Sequence, residues 1–359
     1  MTQVTPVPAN ASFDGPEAAQ LQGIIEVSRA CSLAVCGDED DTWAPRDLVA
    51  TMCPNAYRQY LMATAGVDNQ VLGYASVEFT YNDNQDLAEL QVYVHPDHRR
   101  RGIGTQLLAW AEKVAFDGGR TTLVSWGANA TPIGDGVPVV TTPAGEEFPA
   151  DCPGCQFATR NGYSLEQVER CSVQPVPVPE DKLAAWQSDS LAHADGYRLH
   201  RWLAPVPDEW IDSLAALRSQ VTGDVPLGGL AFETEIWDAD RLRLRWQRQA
   251  EAGNHELIVA AEHIDSGQLV AYTQLQWNDE RPDLAYQGYT FVQRPHRGHR
   301  LGMLVKSMAL PELMAAHPTV RRIYTENAVE NGPMLDINIA LGYQLRSLDA
   351  SFQKKLAIQ

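Results

Sequence analysis

Three apolar runs early in the chain, LMATA (61–65), QVLGYASVEFTYN (70–82) and LAELQVYVHP (87–96), are rich in β-branched and aromatic residues. Turn signals such as Asn82-Asp83-Asn84 bound them. They predict three strands in an antiparallel meander. The period then changes. Leu107, Leu108, Ala111, Val114 and Ala115 share one face at helical spacing, which predicts a helix from Gly104 to the stop at Gly118-Gly119. TTLVSWG (121–127) predicts the next strand. A Gly/Pro-rich loop over 130–150, a short helix before Asn161-Gly162-Tyr163 and a strand near 163–174 follow.

The same order returns after the Pro-rich stretch VQPVPVPED (173–181). HELIVAAEH (255–263), QLVAYTQLQW (268–277) and YQGYTFVQRP (286–295) predict three more strands, and Leu301, Leu304, Val305 and Met308 mark one side of a helix. VHPDHRRRGIG from Val94 aligns with VQRPHRGHRLG from Val292, an offset of 198 residues. Each half closes on a Gly-Tyr corner, Gly162-Tyr163 or Gly342-Tyr343. The expected fold class is therefore α/β (α+β), two tandem copies of a mixed, mostly antiparallel sheet flanked by helices. The expected boundaries are 1–175, a linker at 176–194, and 195–359.

Composition narrows the function. The formal charge of −18 argues against nucleic acid as a partner, because phosphate binding needs a basic face, and favours a neutral or cationic substrate. Residues 1–20 lack the pattern of a signal peptide and no apolar run reaches membrane-spanning length, so a cytoplasmic protein with no membrane partner is expected. Lysine occurs only at 113, 182, 306, 354 and 355, and the resulting arginine excess points to a GC-rich bacterial genome. The six cysteines are too sparse for a disulfide framework. Only Cys152-Pro-Gly-Cys155 has metal or redox spacing, and with no second such pair no metal is expected.

Against that acidity, HPDHRRRGIGTQLL (95–108) concentrates positive charge and two glycines between a strand and a helix. A loop of this kind aims backbone N–H groups and the positive end of the helix dipole into one concavity. It is an anion cradle. Gly-Lys-Ser/Thr is absent, which excludes a Walker loop, and Leu107 occupies the third glycine position of a dinucleotide fingerprint.

A strand, R-x-x-G-x-G and a helix after an antiparallel meander resemble the GNAT family of acyl-CoA-dependent N-acetyltransferases, here as a tandem pair. The resemblance implies acetyl-CoA as co-substrate, its pyrophosphate held by Arg99, Arg100, Arg101, Gly102, Ile103, Gly104 and Thr105, and its pantetheine arm paired with the strand at Val92 and Val94. In the second copy Arg297 and Gly302 match, Arg300 stands at the central glycine position, and Asn331 falls where family members contact the cofactor arm. Glu89 stands near the family's general base, with Gln287 at the same offset in the second copy. The family's acidic tyrosine would fall at Ala158 and Asn338, so the proton donor is unassigned, with water or Tyr343 as candidates; Asn338, with Asn327 and Asn331, is the catalytic candidate of the second copy. The acceptor pocket is expected at the connection between the first two helices. It is acidic in both copies, GDEDDTW (37–43) and FETEIWDAD (232–240), where Asp38, Glu39, Asp40, Asp41, Glu233 and Glu235 would draw a cationic amine. The resulting expectation is an acetyl-CoA-dependent N-acetyltransferase, monomer or homodimer, acting on the primary amine of a small metabolite or aminoglycoside-like antibiotic. The alternative is an acyl-CoA-binding sensor without transferase activity.

Overall fold

The meander forms where the apolar runs predict it, with one further strand at its edge. In the computed structural model, which describes residues 3–67, 70–132, 134 and 136–356, β1 (Gln3–Val7) leads into α1 (Ala18–Cys36) and α2 (Pro45–Met52). β2 (Arg58–Val67), β3 (Gln70–Thr80) and β4 (Leu87–Val94) follow. β1 pairs antiparallel with β2, β2 with β3 and β3 with β4. Leu21, Ile24 and Val27 of α1 and Leu48 and Met52 of α2 bury one face of this sheet against Met62 and Tyr74. α3 (Ile103–Asp117) covers the other face. Gly73 permits that approach, since a Cβ there would lie 3.1 Å from Leu107 and 3.3 Å from Ile103. The α3 crossover makes β5 (Thr122–Ala130) parallel to β4.

The loop expected at 130–150 contains a small hairpin, β6 (Val139–Thr141) and β7 (Glu147–Pro149); positions 133 and 135 lie outside the described residues. α4 (Pro153–Arg160) and β8 (Ser164–Pro175) complete the first half. The linker expected at 176–194 instead holds a helix, α5 (Glu180–Leu191). Pro179 caps it, Glu180 and Asp181 face the positive end of its dipole, and Leu183 and Trp186 pack into the second core. The second half repeats the order: β9 (Tyr197–Leu203), α6 (Asp208–Ser219), α7 (Ala239–Glu251), β10 (Asn254–His263), β11 (Gln268–Asn278), β12 (Leu284–Val292), α8 (Leu301–Ala316), β13 (Arg322–Ala328), α9 (Gly332–Leu341) and β14 (Gln344–Lys355).

The chain forms two compact units that do not follow the expected contiguous boundaries. The first runs to Glu169 and adds Leu227–Glu233 and the chain from Arg346 on; the second comprises Arg170–Pro226 and Thr234–Leu345. Packing decides the difference. β14 runs antiparallel to β5 from Leu348↔Ala130 to Lys355↔Thr122 and so closes the first sheet. The segment 227–233 buries Leu230 beside Leu87 and Val124 of the first unit. In the second unit β9, β10, β11 and β12 form the meander and β13 runs parallel to β12, the same plan as the first. No helix among the described residues is long and apolar enough to cross a membrane.

Candidate active site

Parallel pairing between β4 and β5 stops early. It runs from Leu87↔Thr122 to Leu90↔Ser125, after which Gln91–Val94 and Trp126–Ala130 diverge and open a cleft in the sheet. Side chains 89, 91 and 93 share one face of β4 by the period of two. Glu89 is held there by Trp126, whose indole Nε1 donates to Oε2 at 2.6 Å. Phe232 stacks on Trp126 at 5.6 Å between centroids, and Leu227 and Leu230 pack below it. This strap is clamped at its end, since Asn84 N–H donates to Glu233 Oε2 at 3.0 Å and Glu233 N–H to Asn84 Oδ1 at 2.7 Å. Further along the cleft Tyr93 stacks on Tyr74 at 4.9 Å. Its hydroxyl reaches across to β5, where a Cβ on Gly127 (φ 94°) would lie 3.2 Å from the Tyr93 oxygen. Burial pushes the Tyr93 hydroxyl above the ordinary tyrosine range, so it carries its proton at neutral pH.

The basic loop sits where β4 ends. Arg99 Nε donates to Val94 O at 3.2 Å, fixing the loop to the splayed strand, and its Nη2 approaches Cys31 Sγ at 3.8 Å. Arg100 takes a positive φ of 63° and reaches Gln156 Oε1 on α4 at 3.0 Å; Arg101 reaches Asp97 O at 3.1 Å. Gly102 caps α3 at φ 81°, with open space where a Cβ would stand. Ile103 is buried and anchors the helix in the core, while Thr105 is exposed in the first turn. Backbone N–H groups of that turn have no intrahelical partner by α-helix geometry. Gly104 lies 3.4 Å, from its ideal Cβ, to the Phe157 ring and 3.5 Å to Val94. Among the described residues, Arg99, Arg100 and Arg101 have no carboxylate partner.

The second loop has the same backbone and different charge pairing. Arg297 Nε donates to Val292 O at 3.1 Å, as Arg99 does to Val94. Positive φ angles recur at Gly298 (85°) and Arg300 (52°), so glycine stands at the first left-handed position here and at the second one in the first loop. Gly302 packs against Ile337 of α9 as Gly104 packs against Phe157 of α4. Asp224, however, accepts from Arg294 and from Arg297, and Asp189 pairs with Arg300. Asn331 caps α9, and Asn338 is buried in a chain in which Lys306 Nζ donates to Asn338 Oδ1 at 2.7 Å and Asn338 Nδ2 to Asn327 Oδ1 at 2.6 Å. Burial lowers the Lys306 ammonium to about 7.

A fixed offset misassigns one counterpart. Leu284↔Arg322 is the second unit's Leu87↔Thr122, an offset of 197 on β12, whereas Val292 stands 198 residues after Val94. The extra residue is a β-bulge, because β12 steps from Thr290 to Gln287 while β11 steps from Thr273 to Leu275. The β3–β4 ladder is unbroken. Tyr286, not Gln287, therefore occupies the register position of Glu89. Gln287 is buried, with its amide donating to Thr273 Oγ1 and Gln274 O, each at 2.8 Å.

The acidic stretches have local partners. Arg346 Nη2 meets Asp38 Oδ1 at 2.6 Å and Asp41 Oδ2 at 3.1 Å. Glu235 accepts the Trp237 indole at 2.6 Å. Asp349, three positions beyond Arg346 on β14, accepts Asn129 Nδ2 at 2.8 Å, and burial pushes its carboxyl up to about 6. Arg346, Asp349, Trp126 and Tyr93 are site residues that the sequence did not flag. Tyr93 had a signal in its period-two relation to Glu89; Arg346 and Asp349 had none, because their strand joins the first unit from the far end of the chain. None of the six cysteines forms a disulfide, and burial raises the Cys152 and Cys155 thiols.

The acetyltransferase (GNAT) family model matches residues 31–131, which span α1 to the splayed strands. The fold resembles a tandem GNAT protein from the clavulanic acid biosynthesis pathway, at 22% identity over all of both chains and a TM-score of 0.73. It also resembles a GCN5-related N-acetyltransferase from Sphaerobacter thermophilus, at 18% identity over 99% of this chain and 95% of that one, TM-score 0.61. No curated protein matches the sequence. A splayed parallel strand pair with an arginine-glycine loop at its mouth thus lies within the segment that matches the acetyltransferase (GNAT) family model, and the chain as a whole has the fold of a tandem GNAT protein.

Proposed function

We propose that the protein is an acetyl-CoA-dependent N-acetyltransferase whose first unit binds the acyl donor and transfers its acetyl group to the primary amine of a small molecule. The carrying observation is the contrast between the loops. In the first, three arginines surround an open backbone with no carboxylate partner among the described residues; in the second, Asp224 and Asp189 occupy the arginines. Phosphate groups fit the first loop, where left-handed Gly102 leaves room for close approach and the α3 dipole adds positive potential. Arg99, Arg100, Arg101 and the N–H groups of 103–105 would hold the pyrophosphate. Gln91–Val94, released from β5, offer a free edge for the pantetheine arm. Acetyl-CoA supplies the acetyl group as a thioester.

Glu89 then accepts a proton from the incoming ammonium, its carboxylate oriented by the Trp126 indole. The Tyr93 hydroxyl, protonated by virtue of its burial and lying at the cleft, is placed to return a proton to the departing sulfur. The strap over Trp126 and Glu89 favours a second reading, a protein that binds acyl-CoA without transferring from it. Release of free thiol from acetyl-CoA across a panel of small primary amines separates the two: amine-dependent release supports transfer, and binding with no release for any amine supports the sensor.

A further inference from the structure

We propose that the second unit holds a binding site for a small carboxylate, formed by Arg218 of α6 with Gln274, Trp237 and Tyr289. Arg218 is 8% exposed, and its Nη1 donates to Gln274 Oε1 at 2.9 Å. Its Nε is buried with no hydrogen-bond partner, and the Nε–Nη2 edge makes no bond among the described residues. Two parallel N–H groups on one edge of a guanidinium match the two oxygens of a carboxylate.

Among the described residues, no carboxylate bonds that edge. Glu256 is taken by Arg245 at 2.7 Å, by the Trp246 indole at 3.0 Å and by Gln276 at 3.4 Å. Glu235 holds the Trp237 indole. A second guanidinium stands close by, since Arg241 lies 4.3 Å from the Trp237 ring that Arg218 meets at 4.1 Å. A buried guanidinium without a counter-ion is costly, and an anion bound from solution relieves that cost. The Tyr272 hydroxyl of the same cluster is a second buried polar atom without a partner.

Position favours a ligand over a purely structural role. Gln274, which orients Arg218, lies against the bulge of β12: a Cβ on Gly288 would clash with its Nε2, so the absence of a side chain there lets the amide sit against the strand. Tyr289, on the bulge, is 42% exposed and its ring lies 5.7 Å from Arg218. β12 and β13 separate beyond Tyr286↔Tyr324, so the guanidinium edge stands beside the second unit's cleft, walled by Trp237 and Tyr289. A planar molecule bearing a carboxylate fits this setting. Spherical anions gain less from a planar fork.

Calorimetry on the full chain, without acetyl-CoA, tests the site with benzoate and hippurate against benzamide and hippuramide, and with inorganic phosphate at matched ionic strength. At least one carboxylate should bind about tenfold or more tightly than its amide, the scale of a charge-assisted pair. Arg218→Gln should abolish that preference and Arg218→Lys should retain part of it. Tyr289→Ala, at an exposed position that folding tolerates, should weaken carboxylate binding severalfold. Equal affinity for carboxylate and amide, equal affinity for phosphate, or a preference that survives both Arg218→Gln and Tyr289→Ala would overturn the assignment.

Discussion

Trp126 and Glu89 face each other across the parallel strand pair, one rung from where it opens, joined by an indole N–H donating to a carboxylate oxygen at 2.6 Å. That bond fixes the direction of the carboxylate. Glu89→Gln should therefore lower turnover about 100-fold, most at low pH where the acceptor is an ammonium ion. Trp126→Phe should keep the base and lose its orientation, giving a smaller loss with the same pH dependence. A pH–rate profile of each variant checks this. Wild-type turnover for Glu89→Gln at every pH would reduce Glu89 to a strand residue.

Asp349 predicts a stability change with pH. Its folded value of about 6 lies above the unfolded value of 3.8, so the fold disfavours the ionised form. The associated stability is complete below about pH 4 and is lost as pH rises through 6. Asp349→Asn should thus be more stable than wild type at pH 8, by about 1–3 kcal/mol, and no more stable at pH 4. Denaturant unfolding at the two pH values measures the difference.

Lys306 runs the other way. Its folded value near 7 lies below the unfolded 10.5, so its contribution is present above pH 10.5 and falls away as pH drops toward 7. Lys306→Met should gain more over wild type at pH 7 than at pH 10, even though it strands Asn338 Oδ1. Melting temperatures across that range would show a gap that narrows as pH rises; a constant gap would mean that the ammonium is not desolvated as its burial implies.

The fold was legible because its signals are local. The meanders, the α3 stripe of Leu107, Leu108 and Ala111 and the Gly118 stop depend on neighbours a few residues apart. The linker was misread because Pro177 and Pro179 outweighed Glu180, Asp181 and the apolar Leu183 and Trp186, whose partners lie in the second core. Gln287 was paired with Glu89 because a single inserted residue, at the bulge, is invisible to a fixed offset. The cradle arginines were readable as a motif, but their difference in pairing was not: Asp224 and Asp189 are 73 and 111 residues from the arginines they neutralise. The acidic stretch 37–43 likewise read as open charge, since its cation, Arg346, is more than 300 residues away.

The central claim, that the first arginine-glycine loop is the acyl-CoA site, is tested most directly by calorimetric titration of acetyl-CoA into the full chain and its Gly104→Glu variant. A side chain at 104 must pass the Phe157 ring and Val94, and its carboxylate would oppose a pyrophosphate held on the first turn of α3. The account predicts one tight site per chain in the wild type and at least a tenfold loss of affinity in a variant that remains folded. Two equal sites per chain, or unchanged affinity in folded Gly104→Glu, would contradict it.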